Sequence, residues 1–75
     1  MSEYYFSVNI DNHRTLCVAP LTNRRIAMSG QDIPDPSGYF LFEQRGIGDV
    51  AEIEILAQAM SEAAAFRLKN MLNMR

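Results

Sequence analysis

Apolar and polar residues alternate from the first few positions of the chain. Tyr4, Phe6, Val8 and Ile10 take every second place, with Tyr5, Ser7 and Asn9 between them. A period of two puts the two sets on opposite faces of a strand. The run stops at Asp11-Asn12-His13-Arg14, a polar set rich in turn formers. Thr15–Pro20 resumes the pattern, with Leu16 and Val18 on one side and Cys17 and Ala19 on the other. Pro20 cannot donate to a ladder and ends it. The two segments predict a hairpin with a loop of about four residues.

Leu21–Arg25 reads as a further turn, and Ile26–Ser29 as a short third strand. Gly30–Gly38 holds Pro34, Pro36, Asp32 and Asp35 and predicts an irregular loop. Tyr39–Gln44 is a strand by its aromatic content, with Phe40 and Phe42 on one face and Tyr39 and Leu41 on the other. Arg45–Asp49 supplies Gly46 and Gly48 for a turn. Val50–Gln58 alternates again: Ala51, Ile53, Ile55 and Ala57 against Glu52, Glu54, Leu56 and Gln58. Strict alternation with two isoleucines in phase favours strand over helix there.

The last segment is helical. Ser61 suits an N-cap and Glu62 the positive end of the helix dipole. Ala64, Ala65, Leu68, Met71 and Leu72 fall on one stripe, with Lys69, Asn70 and Asn73 away from it. Phe66 points about 160° from the centre of that stripe at 100° per residue. The expected architecture is α+β: a small antiparallel β-meander of four to five strands with one C-terminal α-helix packed on one face. Residues 1–75 form a single domain. The phasing predicts Phe6, Val8, Ile10, Val18, Phe40, Phe42, Ile53 and Ile55 beneath the helix. Tyr5, Tyr39, Leu41 and Leu56 are then left on the opposite face.

Composition narrows this picture. A chain of 75 residues is a marginal domain, since about 60 residues bury only about 60% of their unfolded surface. Such chains lean on disulfides, metals or self-association. Cys17 is the only cysteine, so no disulfide closes within the chain. A lone cysteine fits a reducing compartment, and its default role is a small buried hydrophobe. Hydrophobic residues make up 48% and charged residues 21%, an ordinary globular balance. The net charge of −2 argues against a protein that tracks phosphates along nucleic acid. No secretory leader pattern opens the chain, and no apolar run approaches the ~20 residues of a membrane helix. The expectation is a cytoplasmic protein with no membrane partner.

Candidate chemistry is sparse. His13 and Cys17 would lie about 13 Å apart in extended chain, too far for a dyad. One His and one Cys cannot make a zinc site, and Asp32 and Asp35 do not follow a calcium-loop pattern. Gly46-Ile47-Gly48 lacks the third glycine of a dinucleotide fingerprint and reads as a hairpin turn. These absences predict no enzyme, no metal and no cofactor. Glu52 and Glu54 share one strand face, either as a solvated surface or as an acidic patch, joined by Asp49 and Glu62, that meets a basic partner. Arg24-Arg25 is the only basic doublet. It reads as a solvated turn or, with Tyr4, Tyr5 and Phe6, as a minor nucleic-acid feature.

The stronger signal is surplus apolar surface. One helix covers one sheet face, so Tyr5, Tyr39, Leu41, Leu56 and Phe66 need cover from loops or from a partner. With Glu52 and Glu54 they make the candidate partner-binding set, and an identical chain in a two-fold homodimer is the commonest such partner. In size and plainness, though in no particular residue, the chain resembles small inhibitor proteins of phages and mobile elements, anti-CRISPR proteins among them. That resemblance implies binding to a host nucleoprotein complex through the acidic patch. Three expectations follow: a self-associating, non-enzymatic interaction module; a phage-type inhibitor; and a small nucleic-acid or ligand binder.

Overall fold

A computed structural model describes residues 5–46 and 51–75. The order is β1 (Phe6–Asn9), β2 (Arg14–Ala19), α1 (Asn23–Met28), β3 (Tyr39–Arg45), β4 (Glu52–Ala59) and α2 (Glu62–Met71). The strands form one sheet in the order β1-β2-β3-β4, with every neighbouring pair antiparallel. This is the expected α+β meander with a C-terminal helix. The turn expected over Arg45–Asp49 and the G-x-G within it lie mostly outside the described residues, as does Tyr4.

Local chemistry explains the connections. In the β1–β2 turn the Asp11 carboxylate accepts the backbone N–H groups of His13 and Arg14, at 2.8 and 2.9 Å. A short acceptor side chain closing its own turn is the usual reason for Asp in such a place. Ser61 caps α2 as expected, its hydroxyl accepting the Ala64 N–H at 3.1 Å. The short third strand expected at Ile26–Ser29 is instead the end of helix α1. The overlooked signal was Thr22, whose hydroxyl accepts the Arg25 N–H at 3.2 Å and starts a helical turn.

The faces of the sheet also differ from the expected phasing. Paired residues across an antiparallel sheet share a face, so the registers define rows. Phe6, Val18, Leu41 and Ala57 form one row, and Val8, Leu16, Glu43 and Glu54 another on the same face. Ser7, Cys17, Phe42 and Ile55 lie on the opposite face, with Ala19, Phe40 and Gln58. Phe40, Phe42, Ile53 and Ile55 therefore sit on the face away from α2, packed with Leu21 and Ile26. Phe6, Val18 and Tyr39 sit beneath α2 with Ala59, Ala65 and Met74. Ile10, expected in the core, is exposed just past β1.

A bulge accounts for part of this. Leu41 pairs with Ala57 but Phe42 pairs with Ile55, which leaves Leu56 as an extra residue. One extra residue reverses the facing of all that follows. Ile53 and Ile55 thus belong to one face while Ala57 and Ala59 belong to the other, despite unbroken alternation in sequence.

Each edge of the sheet is closed by a different device. Along β1, Ser7 and Arg75 exchange both backbone hydrogen bonds, at 2.9 and 3.0 Å, so the tail beyond α2 acts as a one-residue strand. Along β4, the Gln31 side-chain amide takes the place of a peptide. It donates to the Ile55 carbonyl at 2.9 Å and accepts the Ile55 N–H at 2.7 Å. Gly38 then brings the loop onto β4: its φ is +82°, and a Cβ there would lie 2.6 Å from the Ala59 carbonyl oxygen. Only glycine fits that approach.

Candidate partner-binding surface

The seven residues expected to meet a partner are not brought together. Tyr39 is buried under α2, and Leu41 is half-buried in the same cluster. They were expected on the open face, but β3 presents its Tyr39–Leu41 side, not its Phe40–Phe42 side, to the helix. Phe66 is not directed away from the sheet. Its ring packs on Phe6 with centroids 5.3 Å apart, and the Lys69 ammonium sits 5.1 Å from the Phe6 ring centre. The helix is rotated toward β1 to make this aromatic contact, and Met71, expected on the buried stripe, turns outward to 72% exposure.

Tyr5 is on the α1 side. It is 56% exposed, yet its hydroxyl lies 3.2 Å from the Cys17 sulfur. Partial burial, then this contact with Cys17, pushes the Tyr5 hydroxyl up to about 12. Cys17 itself is sealed from solvent, and burial raises its thiol above the ordinary value. A buried thiol of raised pKa is a poor nucleophile. His13 is exposed in the β1–β2 turn. Among the described residues no group of three or more His, Cys, Asp or Glu side chains is placed to hold a metal ion.

Glu52 and Glu54 are both exposed and do share a face, that of α2. They stand at its far end with a set of mixed charge. Arg45 lies 3.5 Å from Glu54 and 3.6 Å from Glu43, and Arg14 lies 3.4 Å from Glu43 and 2.9 Å from Asp11. The His13 N–H, then the Arg14 side chain, hold the Asp11 carboxyl below its usual range. Arg25, the more buried half of the basic doublet, is spent within the fold: it donates to Gln44 at 3.0 Å and lies 5.6 Å from the Phe42 ring centre.

The surface that was missed lies beside α2. Burial on that face falls toward the Arg14–Arg45 end and also toward β4, where Ala57 is exposed in the same row that buries Phe6 and Val18. Tyr39, Ala59, Phe6 and Val18 are buried, Val8, Leu16 and Glu43 are half-buried, and Arg14, Arg45, Glu52 and Glu54 are exposed. Ala57, Gln58 and Ala59 of β4, with Ala64, Arg67, Leu68 and Met71 of α2, line a shallow, mainly apolar groove of about 350 Å³. Leu56 and Met60, 50% and 63% exposed, flank its strand side in sequence. The signal for it was present: Met60, Ala64, Arg67 and Met71 recur at helical spacing, a second stripe next to the core one.

In comparisons with family models, characterised proteins and solved structures, nothing matches this chain. Among the described residues no helix is long and apolar enough to cross a membrane.

Proposed function

We propose that this chain is a non-enzymatic protein-interaction module that docks its partner in the apolar groove between β4 and α2, within the cytoplasm. The observation that carries this reading is the exposed Met71 beside a mainly apolar groove that runs between Ala57 and Ala59 of β4 and Ala64 and Leu68 of α2. A methionine at a rim adapts to the shape of what docks against it, and small residues let a partner approach closely. Contiguous apolar surface of this kind marks interaction sites more often than it marks solvent-facing protein.

The rival reading, in which Glu52 and Glu54 imitate phosphates, draws less support because Arg45 lies against Glu54. The nucleic-acid reading loses Arg25 to Gln44 and Phe42. The test is crosslinking of the chain in the cells that make it, comparing the wild type with Met71→Glu and with Arg24→Glu on the α1 side. Crosslinked species, whether of the chain itself or of other proteins, should vanish with Met71→Glu and persist with Arg24→Glu. A wild type that forms none, or a pattern indifferent to Met71, would count against the module.

A further inference from the structure

We infer that the outer edge of β4 is a strand-addition site plugged by Gln31, and that it takes an extended peptide segment carrying a lysine or arginine between two apolar residues. This surface lies apart from the groove beside α2 and shares no lining residue with it.

The backbone pattern comes first. Along an antiparallel ladder, successive residues turn their N–H and C=O groups alternately toward one neighbour and the other. Ile55 is in register with Phe42, yet both its backbone groups are taken by the Gln31 side chain. Ile55 therefore turns its backbone outward. Ile53, two residues earlier and on the regular side of the bulge, does the same. Among the described residues no hydrogen bond reaches the Ile53 backbone from outside the sheet. The edge thus offers two donor–acceptor pairs about 7 Å apart, and Gln31 occupies one of them.

The space beside it suits a strand. A cavity of about 310 Å³ continues from Gln31 along the edge, lined by Ser29, Gln31, Arg45, Glu52, Ile53 and Glu54. Ile53 and Glu54 lie on opposite faces of the sheet, which puts the cavity at its rim. A carboxamide is a peptide group without a chain, and its grip on Ile55 is the bonding that a main-chain segment would make there. Gln31 belongs to no helix or strand, so it can withdraw without breaking one. A segment that displaces it exchanges two hydrogen bonds for two of the same kind and adds two more at Ile53. Such main-chain bonds supply the affinity of strand addition, and alternate side chains supply the selectivity.

Charge selects the occupant. Residues facing each other across adjacent strands share a side of the sheet. The residue between the two pairing positions therefore comes to lie opposite Glu54, on the side where Glu52 and Glu54 are exposed. Glu54 shares Arg45 with Glu43, and Glu52 has no ion-pair partner among the described residues. A cation completes that set. A second copy does not. Antiparallel pairing of β4 with itself puts Glu54 against Glu54 when Ile53 meets Ile55, and against Glu52 when Ile53 meets Ile53. Like charges directly opposite each other destabilise a sheet.

The probes are two blocked pentapeptides, Thr-Val-Lys-Val-Thr and Thr-Val-Glu-Val-Thr, added at millimolar concentration to the purified chain, with amide exchange followed residue by residue. The lysine peptide should slow exchange at Ile53 severalfold and leave Phe42 unchanged. Gln31→Ala should bind it about tenfold more tightly, because two hydrogen bonds no longer compete. The glutamate peptide should bind at least tenfold more weakly at low salt, and Glu52→Gln combined with Glu54→Gln should remove that preference. N-methylation of both valines deletes the donors that face β4 and should abolish the protection. Unchanged exchange at Ile53 in both the wild type and Gln31→Ala overturns the proposal, as does equal protection by the two peptides or by the N-methylated one. Met71→Glu, which acts on the groove, should pair with the lysine peptide as the wild type does, so the two readings fail separately.

Discussion

On the α1 side of the sheet, Cys17, Phe40 and Phe42 are sealed completely by a six-residue helix and a stretch of irregular chain. On the α2 side, a regular helix of ten residues leaves Val8, Leu16 and Leu41 half-buried. The less regular cover does the better job. Regular helices bring a rigid cylinder and cover what lies beneath it. Irregular chain follows the surface, provided that its backbone groups find partners. Gln31 on Ile55 and the Gln58 side chain, donating to the Asp35 and Ser37 carbonyls at 2.8 and 2.7 Å, supply those partners. The α1 side hides Phe40 and Phe42 completely and leaves Tyr5 and Met28 exposed at its margin, whereas the α2 side hides Val18 and leaves Val8, Leu16 and Leu41 half-buried.

That contrast can be broken from the sealed side first. Phe42→Ala should cost about 3–5 kcal/mol, comparable to the whole stability of a domain this size, and should abolish the thermal transition in circular dichroism. Gln31→Ala should cost about 1–3 kcal/mol by leaving the Ile55 N–H and C=O unpaired at a sheet edge. Amide exchange at Ile55 should then accelerate while Phe42 on the neighbouring strand stays protected. On the helical side, Ser61→Ala should cost about 1 kcal/mol through the lost N-cap, visible in urea melts. Met71→Ala should change monomer stability by less than about 0.5 kcal/mol, since the residue packs on almost nothing in the single chain. Equal losses at Gln31 and Met71 would erase the distinction between the faces.

A smaller effect comes from the β1–β2 turn. The folded state holds the Asp11 carboxyl below its ordinary value, through the His13 N–H and then Arg14. A carboxyl lowered on folding stabilises above its unfolded value and loses that contribution as pH falls through the folded one. Acidification below the usual carboxylate range should therefore loosen the turn. Asp11→Asn should flatten that part of the stability-versus-pH curve.

Much of the fold was legible from residues that act on their neighbours. Alternation marked β1, β2 and β4, aromatic content marked β3, and Ser61 marked the start of α2. Helix α1 was missed because six residues give too short a window for periodicity, and only Thr22 announced it. Of the candidate site, Glu52 and Glu54 were correctly placed on one face, and Leu56 is exposed on β4 as the extra residue of the bulge. Tyr39, Leu41 and Phe66 lie against the α2-side core, opposite to where their local pattern points.

The sequence alone determined strand, turn and helix wherever a residue's effect reaches no further than a few positions along the chain. Tertiary structure decided which face of each strand meets which cover. Facing depends on register, and register between strands is a property of pairs: one bulged residue at Leu56 sends Ile55 to one core and Ala57 to the other. The rotation of α2 was settled the same way, by Phe66 finding Phe6 across sixty residues of chain. No local pattern carries that information, because the energy that selects it is gained only when distant segments touch.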